Sequence, residues 1–344
     1  MVDKEFCMSS YLAFRHIVAR DIEFAEGLHH QIYVHKRKLE QIRNTEDIDR
    51  VLTNTFETIK NKHKQIGLML SGGMDSGILA SYLSGYDAYT FRFPDGQYGE
   101  ELERARNIAE INKMKLHYVD IGWDIIEPHI DAAMKKKGAP VHSIEPQIIQ
   151  AAEIAKDEGI ELMIIGDASD YVFGGMDQLL SKDWDFDDFI KRYCYIQPSD
   201  VLVDSRCMRE YFEPYRSGDK IDFLKFMDMD ATTESYASYE NAFAVAGLSY
   251  FDPYEVMEMA VPLDLGRIRN GESKYFIREL FAMKYPDITV PEKIPMPRPV
   301  DYYFAKWDGP TRPEFKKNIQ IEQFSGNQKW LLYCLERFLN KFVV

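Results

Sequence analysis

Between residues 65 and 165 the chain switches repeatedly between two hydrophobic periods. QIGLML at 65–70 is a short apolar run that stops at Ser71-Gly72-Gly73. Residues 75–83 then carry Ile78, Leu79, Tyr82 and Leu83 on one face of a predicted helix. AYTFRF at 88–93 alternates as a strand does. Residues 100–112 return to helical spacing with Leu102, Ala105, Ile108 and Ala109. A third strand is predicted at 116–121, a helix at 146–157 and a fourth strand at 161–165. Strands alternating with helices imply right-handed crossovers and a parallel sheet. Such sheets bind ligands beyond the carboxyl ends of their strands. The two unusual loops, 71–76 and 166–175, each start at such an end, so distant segments can meet across one crevice.

Outside that region the pattern changes. Beyond residue 176 the chain is rich in aromatic and acidic residues, as in Trp184-Asp185-Phe186-Asp187-Asp188-Phe189, and its apolar spacing is mostly helical, as at 330–338. A helix is expected at 45–60, with Ile48, Val51, Leu52 and Phe56 on its apolar face. Residues 11–18 and 23–33 read as short strands. The expected organisation is a linking segment over 1–50, an α/β nucleotide domain over 51–176, and a mostly helical substrate domain over 177–344. A length of 344 residues agrees with about two domains.

Composition narrows the function. With 42 Lys+Arg against 56 Asp+Glu, the net charge is −14. That argues against nucleic acid, which needs clustered cations to neutralise phosphates. It leaves room for ATP, because a nest of amides binds phosphate even in an acidic protein. The four cysteines, Cys7, Cys194, Cys207 and Cys334, form no CxxC pair, so neither a zinc site nor a disulfide framework is expected. No signal-like apolar run opens the chain, and no stretch of about 18 apolar residues suggests a membrane span. The expected compartment is the cytoplasm.

Candidate chemistry centres on Ser71-Gly72-Gly73-Met74-Asp75-Ser76, directly after a strand and before a helix. The glycines allow close approach of the backbone, and the first amides of the helix, with the Ser71 and Ser76 hydroxyls, form an anion cradle. Asp75 is out of place beside an anion unless a divalent cation such as Mg²⁺ bridges it to phosphate.

This loop resembles the SGGxDS loop of the N-type ATP pyrophosphatases, which cleave ATP to AMP and pyrophosphate. Within them the chain is similar to the synthetase domain of the asparagine synthetase and β-lactam synthetase family, over about residues 50–305. The resemblance implies a sheet of the adenine nucleotide alpha-hydrolase (HUP-like) type with a helical C-terminal region. Gly166-Asp167-Ala168-Ser169-Asp170-Tyr171-Val172-Phe173-Gly174-Gly175 is similar to the family's GEGSDEVFGG. By that match Asp170 joins Asp75 as a magnesium ligand. Gly271-Glu272-Ser273-Lys274-Tyr275-Phe276-Ile277-Arg278 is similar to G-x-x-K-x-x-L-R, whose lysine reaches the α-phosphate and the tetrahedral intermediate. Arg278 lies one turn along on the same face. Lys293, in Pro291-Glu292-Lys293-Ile294-Pro295, resembles a late pyrophosphate-contacting lysine. Backbone contacts to adenine would fall at Leu70, Phe93, Ile165 and Gly166.

The implied activity is an ATP-dependent, AMP-forming amide ligase acting on a small-molecule or peptide carboxylate. Departures from the family point to its variant. Val2 stands where the family's glutaminases expose a cysteine, and the glutaminase domain is not recognisable. Nitrogen is therefore expected from ammonia, an amine, or a separate glutaminase. Asp167 occupies a position held by Glu or Tyr in relatives and is a candidate base for the attacking amine. Tyr171 replaces a second acid. Residues 245–252 keep Asp252 but lose a Glu and an Arg, which implies a substrate other than free aspartate. Glu145 stands where relatives line the acceptor site with small polar residues. Two alternative readings share the phosphate loop: a noncatalytic nucleotide-binding regulator, and a different chemistry such as sulfur transfer.

Overall fold

Alternate residues of each sheet strand divide between two hydrophobic cores, and this division organises the molecule. The structure, a computed structural model, describes residues 1–34, 39–291 and 296–343. The chain opens with helix α1 (Lys4–Phe14), followed by strand β1 (Glu40–Ile42) and helix α2 (Thr45–Lys62). Then come β2 (Ile66–Met69), α3 (Met74–Tyr82), β3 (Asp87–Arg92), α4 (Gly99–Ile111), β4 (Lys115–Asp120), α5 (Trp123–Lys137), α6 (Glu145–Asp157) and β5 (Leu162–Ile164). A short helix, α7 (Ser169–Val172), follows β5. Beyond it lie a small antiparallel hairpin, β6 (Arg216–Ser217) with β7 (Lys220–Ile221), and the helix Thr232–Ala246. Strands β8 (Ser249–Phe251) and β9 (Met257–Met259) precede the helices Tyr275–Lys284 and Gly326–Phe342.

The main sheet runs β4-β3-β2-β5-β8, and every pairing in it is parallel. Ile66, Leu68 and Leu70 of the β2 segment, with Leu162 and Ile164 of β5, enter one core alongside α2, α3, α4 and the helix Tyr275–Lys284. Met163, Ile165 and Tyr89 enter the other, alongside α1, α5, α6 and the helices Thr232–Ala246 and Gly326–Phe342. A period of two in the sequence has thus become helices on both faces of a sheet. Each fully buried Leu or Ile contributes about 1.5–3 kcal/mol.

The expected strands and helices between 65 and 165 are present within a residue or two, and the α/β class with a parallel sheet is the observed one. Two expected strands are absent. Residues 11–18 are not a strand, because α1 covers Lys4–Phe14, with Asp3 accepting the Phe6 amide at 2.9 Å as its cap. Every residue from Phe6 to Phe14 is buried. A helix buried on all sides shows no amphipathic stripe, and its period is hidden. Residues 23–33 hold no strand beyond a single bridge between Val2 and Glu23. The sheet also does not stop at residue 176, since β8 adds its fifth strand from the later, mostly helical part. Among the described residues no helix is long and apolar enough to cross a membrane.

The strand order reverses direction between β2 and β5. After β2 the chain builds outward through β3 and β4, then returns to add β5 and β8 on the other side. Crevices in such sheets open at this switch point, and the loops after β2 and β5 both emerge there.

Candidate functional site

The loop after β2 is shaped by backbone constraints. Gly72 has φ +78°, and a Cβ there would lie 2.7 Å from the Glu101 carbonyl oxygen and the Ala105 nitrogen of α4. Only glycine satisfies both the left-handed conformation and that approach. The Ser71 amide donates to Ser76 Oγ at 3.2 Å, the Ser71 and Ser76 hydroxyls lie 3.1 Å apart, and the Gly73 amide donates to Ser71 Oγ at 3.3 Å. The N-terminus of α3, capped by Gly73 without a side-chain acceptor, therefore faces the crevice. Free amides and the helix dipole there favour an anion.

The loop after β5 meets it. Asp75 Oδ1 accepts from Ser169 Oγ at 2.6 Å, and Tyr254 donates its hydroxyl to the Asp75 carbonyl at 3.1 Å. Asp252 lies underneath, accepting the Ala168 amide on Oδ2 at 2.7 Å and the Tyr254 amide on Oδ1 at 2.9 Å. Gly175 is required by Asp170, since a Cβ at 175 would lie 2.2 Å from Asp170 Oδ1. The third segment supplies Lys274, whose Nζ is 2.6 Å from both Asp75 Oδ2 and Asp170 Oδ1. Lys274 is 2% exposed and sits at φ 55° as the N-cap of the helix Tyr275–Lys284. A non-glycine residue in that conformation is held there by its surroundings, and such strain gathers at functional sites. Burial opposes the charge on Lys274, but the two carboxylates outweigh it and raise its pKa.

These groups line a cavity of about 200 Å³. Leu70, Phe93, Ile165 and Gly166 border it beside the Ser71–Ser76 loop, and so do Asp167, Asp170, Lys274 and Arg278. Arg278 is oriented by its Nε, which donates to the Ser273 carbonyl at 2.8 Å. Asp167 Oδ2 accepts from Ser235 Oγ at 2.6 Å. Burial pushes the Asp167 carboxyl up to about 8; the Ser235 hydroxyl pulls the other way, and Asp252, Asp170 and Glu234 add repulsion.

Three expected pocket residues lie elsewhere. Glu145 is fully buried behind the sheet, 2.6 Å from Lys137 Nζ, and also accepts from the His142 amide and Asn241 Nδ2. It is a paired core charge, and among the described residues it does not border the cavity. Asp252 supports the 166–170 loop from below. Tyr171 packs edge-on against Tyr236, with ring centroids 5.7 Å apart, and is also absent from the cavity wall. Lys293 lies outside the described residues. Sequence reasoning passed over Glu101, Arg104 and Tyr239, which border the cavity. An acid in the first turn of α4 reads as an ordinary helix-dipole residue, so Glu101 carried no signal of its own. None of the four cysteines borders the cavity.

Two oxygens from separate loops converging on one cation position suit a hard divalent ion such as Mg²⁺, which is commonly held by one or two carboxylates with phosphates completing its shell. Among the described residues no cluster of three or more His, Cys, Asp or Glu offers a fuller metal site.

The family pattern described as asparagine synthase matches residues 47–245. A probable glutamine-hydrolysing asparagine synthetase of Acanthamoeba polyphaga mimivirus is 26% identical over 148 residues, covering 41% of this chain and 26% of the relative. A putative glutamine-hydrolysing asparagine synthetase of Methanocaldococcus jannaschii is 24% identical over 151 residues, covering 42% of this chain and 27% of the relative. The chain thus spans about a quarter of the length of these curated relatives. An NMN synthetase structure from Francisella tularensis aligns with 74% of this chain and 100% of its own, at a TM-score of 0.30 and 12% identity, a likeness too slight to carry an argument.

Proposed function

The chain belongs to the asparagine synthase family, and we propose that it is an AMP-forming ligase that joins a substrate carboxylate to ammonia or an amine. The observation that carries this reading is the convergence of Asp75, Asp170 and Lys274 beside the Ser71–Ser76 amides. In the first half-reaction a carboxylate oxygen attacks the α-phosphorus of ATP, the α–β bridging bond breaks, and pyrophosphate leaves. The α3 amides and the two serine hydroxyls hold the leaving phosphates. Asp75 and Asp170 would hold Mg²⁺, which when bound neutralises charge on the pyrophosphate.

In the second half-reaction the nitrogen attacks the acyl carbon and AMP departs. Lys274 stabilises negative charge on the α-phosphate and on the tetrahedral oxyanion, and Arg278, one turn along, supports it. Asp167 takes a proton from the attacking nitrogen. Its raised pKa makes it a better base than an exposed carboxylate once ionised. The sign follows: the basic form is scarce below pH 8, so the amide-forming step accelerates as pH rises through about 8. The acceptor is a small-molecule or peptide carboxylate, and the nitrogen comes as ammonia, as an amine, or from a separate glutaminase. A cytoplasmic setting, with ATP and Mg²⁺ at hand, suits this chemistry.

Carboxylate-dependent exchange of labelled pyrophosphate into ATP tests the reading. Exchange that requires one acid from a panel of sugar acids, amino acids and peptides is the expected result. Failure of every acid to elicit exchange, in a chain that binds ATP, refutes adenylation.

A further inference from the structure

From Asp167 in the cavity wall a hydrogen bond leads to Ser235, and so to a cluster of charges that neither half-reaction uses. Glu234, the preceding residue, is 2% exposed, and its Oε2 lies 2.6 Å from Arg15 Nη2. Arg15 stands just past the end of α1, with its guanidinium 3.9 Å above the Tyr195 ring and its Nη1 3.0 Å from His142 Nε2. Arg298 completes the cluster. It follows Met296 and Pro297, which border the cavity, and its backbone hydrogen-bonds Tyr98, another wall residue. Its charge acts on Arg15, Glu234 and Tyr239, and Tyr239 also borders the cavity.

The charges of this cluster do not balance. Glu234 supplies at most one negative charge to two arginines. Burial, Arg15 and Arg298 hold His142 well below its usual range, so its ring is neutral. Among the described residues the Arg298 guanidinium has no hydrogen bond and no ion pair, and burial and the Arg15 charge both pull its pKa down. Arg15 Nε and Glu234 Oε1 are buried and, among the described residues, also lack hydrogen-bond partners. Both arginines remain partly exposed, so the cluster is open to a ligand.

A desolvated cation without a partner is costly, and buried charges in native proteins are paired. The missing partner is an anion. The planar fork of an arginine matches a carboxylate or a phosphate in a bidentate pair. Both arginines lie outside residues 47–245, so the family match assigns them no role. Asp167, the proposed base for the attacking nitrogen, is tied to this cluster through Ser235, which sets the cluster beside the acceptor. We infer, on the ligase reading above, that Arg298 backed by Arg15 binds a second anionic group of the acceptor, a carboxylate or phosphate other than the carboxylate that is adenylated.

The test is calorimetric titration of the full chain, with Mg²⁺ and α,β-methylene-ATP, using paired probes: succinate against succinamate, glutarate against glutaramate, and 6-phosphogluconate against gluconate. The phosphate pair separates a phosphate from a carboxylate as the second group. At least one dianion is expected to bind about 10- to 100-fold more tightly than its partner, the range for hydrogen bonds to a charged group. Arg298→Gln is expected to lose that preference without lowering the urea midpoint, since it breaks no existing pair, and Arg298→Lys to recover part of it. A purely structural arginine would instead lower the midpoint and leave the preference unchanged. If paired probes bind alike, if no dianion binds, or if Arg298→Gln keeps the preference, the inference is overturned, and pyrophosphate exchange decides the ligase reading separately. Loss of ATP affinity in Arg298→Gln, with the dianion preference intact, also overturns it by assigning the arginine to the nucleotide. A dianion preference that depends on Arg298, with no exchange from any acid, upholds the anion site and overturns the ligase reading alone.

Discussion

Two ionic clusters, one in the core between α5, α6 and the helix Thr232–Ala246 and one in the wall of the cavity, differ in how their charges balance. Lys137 and Glu145 form a closed pair: one cation, one anion, both shielded from solvent, and both glutamate oxygens occupied by Lys137, the His142 amide and Asn241. Lys274 with Asp75 and Asp170 is an open set of one cation and two anions, with the lysine buried and both carboxylates partly exposed to the cavity. A closed, matched pair stabilises the fold and has nothing left to offer a ligand. An open set with surplus negative charge is arranged to exchange partners. Both clusters are built from acidic residues that stand close to helix starts, and residue type alone does not separate them.

The comparison breaks if substitutions in the two clusters have similar consequences. The largest effect is expected on chemistry at the open set: Lys274→Met lowers the pyrophosphate exchange rate by about 10²–10³-fold, the scale for removing one transition-state charge partner. It leaves the melting temperature close to native, and an unfolded Lys274→Met chain would put the lysine in the closed class. Glu145→Leu is expected to do the reverse. Leaving Lys137 uncompensated destabilises the fold by about 3–5 kcal/mol, read as a shift of the urea midpoint, while any protein that remains folded still binds ATP.

A smaller effect tests the crevice loop. Gly72→Ala puts a Cβ against α4 in a left-handed conformation, costing about 1–2 kcal/mol for the backbone alone and weakening ATP binding as the loop shifts. The pH dependence sharpens the picture from another side. Asp167 is raised from 3.8 to about 8 in the folded chain, so between those values the unfolded state has lost its proton and the native state has kept it. Stability therefore falls as pH rises across that window. Asp167→Asn is expected to flatten the slope measured by denaturant unfolding at pH 5, 6.5 and 8. The smallest effect is the control: Asp120→Ala removes an exposed partner of Arg92 and changes stability by less than about 1 kcal/mol.

Much of the phosphate end was legible in the chain because its signals are local. Ser71 to Ser76 adjoin a strand and a helix, and the pattern on both sides forces the turn between them. The paired strands of the central sheet were legible for the same reason, since a period of two survives wherever each face meets its own layer of helices. Helix α1 was not legible, because burial on every side erased its period. Glu145 was misplaced because its partner Lys137 belongs to a helix that its neighbours in sequence do not announce. Glu101 was invisible because a first-turn acid is ordinary until the fold brings it to the border of a cavity.

The sequence by itself determined the alternation of strands and helices and the glycine-dependent loop after β2, because adjacency and periodicity encode each of these within a few residues; the candidate roles of Asp170 and Lys274 came from the resemblance of their segments to a family's motifs. Only the tertiary structure decided that Lys274 lies between two aspartates about 100 and 200 positions away, that Asp252 supports a loop, and that Glu145 is spent on a lysine. Those outcomes depend on which surfaces the folded sheet brings together, and on which charges are left facing the crevice once every closer partner has been taken.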